Sequence, residues 1–216
     1  MVGCIEMSGK KVIQAGKTNI LSVLAVVLAS CVLIGWADNR EQIIKAAEKI
    51  ETIRADFVQE KHLKILTHPL VSRGHFYYQA PGSLRWEYAS PIQSILLMHK
   101  GRIRRYIKRD DRLIEDASAR LPAMQVVLRE IISWLNGQFD DNPDFDAVLM
   151  TGRKIVLTPT NQSLSKFIQR IELMFSDRPG IIESVRIYES EDSFTKIEFN
   201  DVKINKEIDT SIFLEP

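Results

Sequence analysis

The sequence predicts an α+β fold in which a single curved antiparallel sheet of about eleven strands is covered by two or three helices. Over most of the chain, short runs that alternate between apolar and polar residues are separated by turn-sized segments containing Gly, Pro, Asn or Asp, which is typical of an antiparallel meander. Two other segments carry apolar residues at spacings of three and four, which is typical of amphipathic helices.

The first 37 residues are expected to be a secretory signal peptide. Three lysines precede the uncharged apolar stretch 20–34, and Gly35-Trp36-Ala37 ends it with the small-x-small pattern of a cleavage site. Cleavage is expected after Ala37, with export to the periplasm. A transmembrane anchor is one alternative, although a span requires about 20 apolar residues. Acylation is another, because Leu28-Ala29-Ser30-Cys31 resembles a bacterial lipobox that would be cut before Cys31.

Residues 38–216 are expected to form one domain with a sizeable core. Both cysteines, Cys4 and Cys31, precede this domain, so it has no disulfide, thiolate metal site or cysteine nucleophile. Subtracting the three Lys and one Glu of the leader from the 29 basic and 28 acidic residues leaves 26 and 27. A domain this close to neutral is not expected to bind nucleic acid or to be strongly attracted to anionic lipid.

The first helix of the domain is expected to run from Asn39, which can cap it, to about Ala55. Apolar residues between Ile43 and Phe57 fall at spacings of three and four, with charged residues between them. The strands are expected to follow, separated by turn signals such as Pro81-Gly82. An extended stretch at 56–67 comes first, and the further strand patterns cover residues 75–78, 84–88, 94–98, 102–108, 113–114, 145–150, 154–158, 167–175, 182–188 and 195–204.

The strongest helical pattern interrupts the strands, beginning near Pro122 and ending at Asn136-Gly137. We call this segment the lid helix and expect its apolar stripe to face the same interior as Leu84 and Trp86. The stripe consists of Met124, Val127, Leu128, Ile131, Ile132 and Leu135.

The face of the sheet beneath this helix is expected to be apolar. A curved sheet of this size can hold a ligand cavity if its side chains do not fill the interior. Periodicity alone leaves two possibilities open, a packed core and an apolar tunnel closed by the lid helix. The candidate cavity residues are Phe57, Phe76, Tyr78, Leu84, Trp86, Tyr88, Ile95 and Leu97.

The sequence predicts no enzyme, metal site or cofactor. The four histidines lack the spacing of zinc sites, and the chain has no nucleophile elbow, dinucleotide fingerprint or Walker pattern. One basic run, 102–109, has two interpretations. Arg102, Arg104 and Arg105 are either a docking patch for an acidic partner or lipid head groups, or solvated residues that protect an edge strand from pairing.

Five segments resemble the periplasmic outer-membrane lipoprotein carriers (LolA type), in the same order over essentially all of 38–216. They are 56–59 (DFVQ), 74–78 (GHFYY), 81–88 (PGSLRWEY), 155–159 (IVLTP) and 208–216 (IDTSIFLEP). The resemblance implies an incomplete β-barrel with helices as its lid, no cofactor and no covalent chemistry. It also implies a monomer that receives acylated lipoproteins from an inner-membrane release complex and delivers them to an outer-membrane acceptor.

The sequence departs from this family at two positions. Ala80 stands where the family has an Arg that helps to latch the lid, and Leu84 stands where it has a Phe. Leu84 keeps the apolar character, whereas Ala80 cannot make the latch. The chain is therefore expected to be a divergent member whose cargo is a lipoprotein or another lipid. The alternative is an outer-membrane lipoprotein receptor anchored through acylated Cys31.

Overall fold

The computed structural model describes residues 41–116, 130–138 and 143–216, which lie in one compact unit. Helix α1 covers residues 41–47, α2 covers 130–135 and α3 covers Gln162–Ser165, and a 3₁₀ turn covers Thr210–Phe213. None of the described helices combines the length and the apolar character that a membrane span needs. The strands are β1 Thr52–His62, β2 Leu70–Gln79, β3 Ser83–Ser90, β4 Ser94–His99, β5 Arg102–Arg109, β6 Arg112–Glu115, β7 Phe145–Met150, β8 Lys154–Pro159, β9 Arg170–Phe175, β10 Ile182–Ser190 and β11 Ser193–Ile204.

The eleven strands form one antiparallel sheet, which confirms the predicted fold class. Their order is β6-β5-β4-β3-β2-β1-β11-β10-β9-β8-β7, so two meanders meet where the first strand pairs with the last. The seam joins the two longest strands, with Phe57 opposite Phe199 and Gln59 opposite Ile197. β6 and β7 are the two ends of this order, so the sheet is open, as in an incomplete barrel.

The two faces of the sheet differ in what they carry. On the face that we call inner, Phe76 lies opposite Trp86 and Trp86 lies opposite Leu96, and this side holds the main core. Residues of α2 pack on the same core, since Trp134 and Leu135 are buried in it. We call the opposite side the outer face. The strand alternation and the apolar residues of α2 thus place α2, the described end of the lid helix, over the inner face.

The prediction that α1 reaches Ala55 is wrong, because α1 ends at residue 47 and β1 begins at Thr52. Ile53 and Phe57 fit a helical spacing, but Ala55 between them is equally buried while Arg54 and Asp56 are exposed. This burial has a period of two and belongs to a strand.

Two glycines explain how α1 packs. A Cβ at Gly180, in the turn before β10, would lie 2.6 Å from the backbone nitrogen of Ala47, and one at Gly137 would lie 3.0 Å from the carbonyl oxygen of Ile44. Both have positive φ, 78° and 75°, which glycine adopts without strain. α1 therefore lies against the end of α2 and the β9–β10 turn.

The strand predicted to begin at Phe167 begins at Arg170, because a short helix comes first. The side chain of Asn161 caps α3 by accepting a hydrogen bond of 2.9 Å from the backbone N–H of Leu164. The predicted end of the lid helix is confirmed, since Gly137 follows the last helical turn with positive φ. Pro122, at its predicted start, lies outside the described residues.

The C-terminal segment lies on the outer face of β3 to β5. The guanidinium of Arg85 donates to the carbonyl oxygens of Ile212 (3.0 Å) and Glu215 (2.8 Å), and that of Arg104 donates to the carbonyl oxygen of Leu214. Phe213 is fully buried there. Part of the outer face of these strands is consequently covered by the C-terminal segment.

Candidate functional site

An apolar groove with a volume of about 910 Å³ lies on the inner face of the sheet. This volume falls within the range of small-molecule binding sites, roughly 300–1,000 Å³. Trp86 and Tyr88 from β3, Leu96 from β4 and Ile197 from β11 contribute to its wall. Ile131 of α2 lines it from the opposite side, so the groove lies between the sheet and α2, the described end of the lid helix.

Large apolar side chains remain exposed at the mouth of the groove. Ile92, in the β3–β4 turn, is 66% exposed, and Phe167, between α3 and β9, is 70% exposed. Both belong to the groove lining, together with Leu164 of α3. Exposed apolar surface of this kind, continuous with an apolar cavity, marks a site that binds an apolar partner.

A second, smaller cavity of about 40 Å³ lies deeper under α2. It has room for about one water molecule, so this part of the interior is packed. Phe76, Trp134 and Leu135 line it. Four residues line both this cavity and the groove, namely Trp86, Ile131, Ile187 and Ile197. These four side chains form the boundary between the packed core and the open groove, with Ile131 on the α2 side and the others on the sheet.

Six of the eight predicted cavity residues divide into three groups. Trp86 and Tyr88 line the groove, whereas Phe57, Tyr78 and Leu84 are part of the packed core and Phe76 lines only the small cavity. The aromatic rings are in contact, with ring centroids 5.2 Å apart for Phe57 and Trp86 and 5.3 Å apart for Phe76 and Trp86. Packing of this kind supports the groove wall from behind.

Ile95 and Leu97 do not share the interior with the other predicted residues. Leu96 and Met98 of β4 pair with Trp86 and Leu84, so Ile95 and Leu97 alternate to the outer face. There they form a separate buried cluster with Tyr106, although Ile95 also borders the groove. All four of these β4 residues are apolar, which hides the alternation in the sequence.

The described part of the lid helix faces the sheet as expected. Ile131 lies over the groove, Leu135 over the small cavity, and Ile132 is partly buried against the same core. Met124, Val127 and Leu128 lie outside the described residues. Trp134, which the sequence pattern did not single out, is 2% exposed and lines the small cavity. Its position one residue before Leu135 widens the apolar stripe, and this was the signal that could have identified it.

The three arginines of the basic run do not form one patch. Arg102 is exposed on the outer face, Arg104 holds the C-terminal segment there, and Arg105 points to the inner face, where it lines the groove. Neighbouring residues of a strand point to opposite faces, which separates Arg104 from Arg105. A docking patch made of all three is therefore ruled out by the strand geometry.

Polar groups occupy part of the groove wall. The hydroxyl of Tyr88 donates a hydrogen bond of 2.9 Å to Oε1 of Gln59. Desolvation raises the pKa of Tyr88 to about 12, against the opposing effect of the nearby Arg105 charge. Lys61 donates to Glu189 at 3.1 Å. These groups give the apolar groove a localised polar side.

The described lining of the groove is mostly apolar, with a few hydrogen-bonding side chains. Within residues 41–116, 130–138 and 143–216, no three His, Cys, Asp or Glu side chains lie close enough together to hold a metal ion. The largest continuous feature of the site is its apolar wall, and the polar groups in it are hydrogen-bonding groups. The geometry fits binding of an apolar chain.

Comparison with models of known protein families identifies one matching family. A sequence model of the family described as outer membrane lipoprotein carrier protein LolA matches residues 48–214. No curated protein shows significant sequence similarity to the chain.

Several solved structures are similar at low identity. An uncharacterized conserved protein from Thermus thermophilus has a TM-score of 0.46 at 11% identity, covering 82% of this chain and 93% of that one. LprF from Mycobacterium bovis has a TM-score of 0.43 at 14% identity, covering 80% and 93%. A LolA superfamily protein from Nitrosomonas europaea has a TM-score of 0.40 at 11% identity, covering 81% and 97%. Because these TM-scores are below 0.5, the family match carries the comparison.

Proposed function

Since the chain belongs to the family of the outer membrane lipoprotein carrier protein LolA, we propose that it is a periplasmic carrier of acylated cargo. In this proposal the acyl chains of a lipoprotein, or of a related lipid, occupy the groove while the protein carries them from the inner to the outer membrane. The apolar groove between α2 and the sheet is the observation that supports this role. The proposal needs no cofactor and no catalytic group.

The size of the hydrophobic gain decides how such a carrier works. Complete burial of a chain of about 16 carbons is worth roughly 0.8 kcal/mol per CH₂, or about 12 kcal/mol in all. A carrier that realised all of this would not release its cargo. The exposed Ile92 and Phe167 at the mouth leave part of a bound chain in contact with water, which lowers the gain.

The first experiment measures lipid binding directly. Native mass spectrometry of the protein purified from the periplasm should show copurified lipid or lipoprotein, and the emptied protein should take up a fluorescent acyl probe. Leu96→Glu, which places a charge in the groove wall, should weaken probe binding at least tenfold, since burying an unpaired charge is unfavourable.

Val148→Glu is the matched control for this change. Val148 is 54% exposed on β7 and does not line the groove, so probe binding should remain as in the wild type. A wild-type protein that carries no lipid and takes up no probe would contradict the carrier proposal. Equal losses of binding in both variants would show that the groove is not the binding site.

The location of the protein is a separate part of the proposal. The pattern of residues 1–37 supports export, and the mature protein is expected to begin at Asp38. The competing candidate is a receptor anchored through Cys31, which the Leu28-Ala29-Ser30-Cys31 sequence supports. The intact mass of the exported protein decides between them, since an acylated N-terminal Cys31 would favour the receptor.

A further inference from the structure

One charged side chain lines the groove among the apolar residues of β3 to β5. Arg105 lies opposite Leu96, which lies opposite Trp86, so all three belong to the inner face. Its side chain is 35% exposed and borders the groove. Arg102, three residues earlier in β5, is exposed on the opposite, outer face of the strand and does not line the groove.

The charge of Arg105 is balanced, but the described residues do not use its hydrogen-bond donors. The nearest carboxylate oxygen, from Asp116, lies 3.6 Å from its Nη1, which is beyond hydrogen-bond distance. A guanidinium has five N–H donors, and the described residues accept no hydrogen bond from that of Arg105. In contrast, Lys61 is directly hydrogen-bonded to Glu189.

A second donor, Gln59 of β1, lines the same groove. Gln59 accepts the hydroxyl hydrogen of Tyr88 through Oε1, so its amide NH₂ group remains available to donate. The Tyr88 hydroxyl is hydrogen-bonded to Gln59 and also lies within the field of Arg105. Gln59, Tyr88 and Arg105 all line the groove, and Tyr88 is hydrogen-bonded to the first of them.

We infer that Arg105 and Gln59 form a donor site for an uncharged carbonyl oxygen, such as that of an acyl ester, at the head of a chain bound in the groove. This inference rests on the proposed carrier function. Acceptor oxygens complement the donors, and an acyl ester carries such an oxygen next to its apolar chain.

The surrounding charges favour an uncharged head over an anion. Asp116 stands beside Arg105, and Glu189 lines the same groove next to Lys61. With each cation already facing a carboxylate, a ligand carboxylate or phosphate would add an uncompensated negative charge. An ester carbonyl adds none.

The test uses two ligands that differ only at the carbonyl. 1-Monopalmitoylglycerol has an ester, and 1-O-hexadecylglycerol has an ether in its place. Both are titrated against the wild-type protein carrying the neutral fluorescent probe N-phenyl-1-naphthylamine. The ester should bind about tenfold or more tightly than the ether, as expected for a hydrogen bond to a charged donor. Arg105→Gln should bring the two affinities together, whereas Arg102→Gln should leave the ratio unchanged.

Thermal melting curves show whether the Arg105→Gln variant folds. If it does not fold, the titrations are carried out with Arg105→Lys instead. Arg105→Lys keeps the charge with fewer donors and should give an intermediate ratio. Equal binding of ester and ether by the wild type, or an unchanged ratio in the Arg105 variants, would overturn the inference while leaving the carrier proposal intact. Palmitate is tested in the same way. If it bound more tightly than the ester, and Arg105→Gln removed that advantage, the inferred preference for an uncharged head group would be wrong. If neither glycerol lipid displaced the probe, both proposals would fail.

Discussion

At Gly74 the sheet leaves no room for a side chain. A Cβ there would lie 1.8 Å from the carbonyl oxygen of Glu87 and 2.9 Å from the ring of Phe57. The first contact is with backbone and cannot be relieved by a rotamer change, so β2 and β3 would have to separate. We expect Gly74→Ala to lower the free energy of unfolding by about 3 kcal/mol, measured by chemical denaturation. Gly82→Ala is the control, since nothing lies within 4 Å of its Cβ position. Equal stabilities of the two variants would contradict the close packing.

Two tyrosines give the protein a defined sensitivity to alkali. Desolvation raises the pKa of both Tyr78 and Tyr88 to about 12, from an ordinary value of 10. Between pH 10 and 12 these tyrosines ionise in the unfolded chain while the folded protein keeps them neutral, so stability is full below pH 10 and falls as the pH rises. Urea unfolding at pH 8, 10 and 11 should show this fall. Tyr88→Phe should make it shallower, and a fall of equal steepness would show that Tyr88 does not contribute.

At the scale of the elements, the lid helix has two different environments one turn apart. Ile131 is partly buried and borders the groove, whereas Leu135 is 7% exposed and faces only the packed cavity. A charge at Ile131 can reach water through the groove, but one at Leu135 cannot. We expect Ile131→Glu to cost about 1 kcal/mol of stability and to abolish acyl-probe binding, and Leu135→Glu to cost several kcal/mol. The measurements are thermal melting and probe titration of both variants. If Ile131→Glu and Leu135→Glu both unfolded the protein, the space beside Ile131 would be a packed core and not a groove.

The elements also show what the sequence could predict. Strands with one buried face, such as β3 with Leu84, Trp86 and Tyr88, are recognisable by their alternation, and so the meander was predictable. β4 is apolar on both faces, because the C-terminal segment covers its outer side, and no local pattern could say which residues face the groove. The predicted end of α1 is wrong for a related reason. The spacing of Ile53 and Phe57 satisfies both a helix and a strand.

At the scale of the whole molecule, the features that the sequence could not predict depend on contacts between residues far apart in the chain. The pairing of β1 with β11 joins segments more than 130 residues apart, and nothing in either segment specifies its partner. The groove is harder still to predict from the sequence, because it lies where side chains from several strands and α2 do not fill the space between them. Even the inward direction of Arg105 depends on the register of β4 and β5. Sequence patterns describe faces of elements, whereas a cavity depends on how those faces meet.

This topology predicts an uneven stability across the sheet. The β1–β11 seam is central and paired on both sides, whereas β6 and β7 are the ends of the strand order. Amides in the seam can exchange with solvent only when most of the molecule opens, while those at the two ends need only a local opening. Hydrogen–deuterium exchange should therefore be slowest in β1 and β11 and fastest in β6 and β7.

Ligand binding should change this exchange pattern in one region. The groove is lined by β3, β4 and β5 through Trp86, Leu96 and Arg105, and no residue of β7 or β8 is among its described lining. Added 1-monopalmitoylglycerol should slow exchange in β3 to β5 and leave β7 and β8 unchanged, because a ligand stabilises the contacts it makes. Uniform slowing across all strands would instead show that binding stabilises the fold globally. Seam amides exchanging as fast as those of β6 would contradict the central role of the β1–β11 pairing.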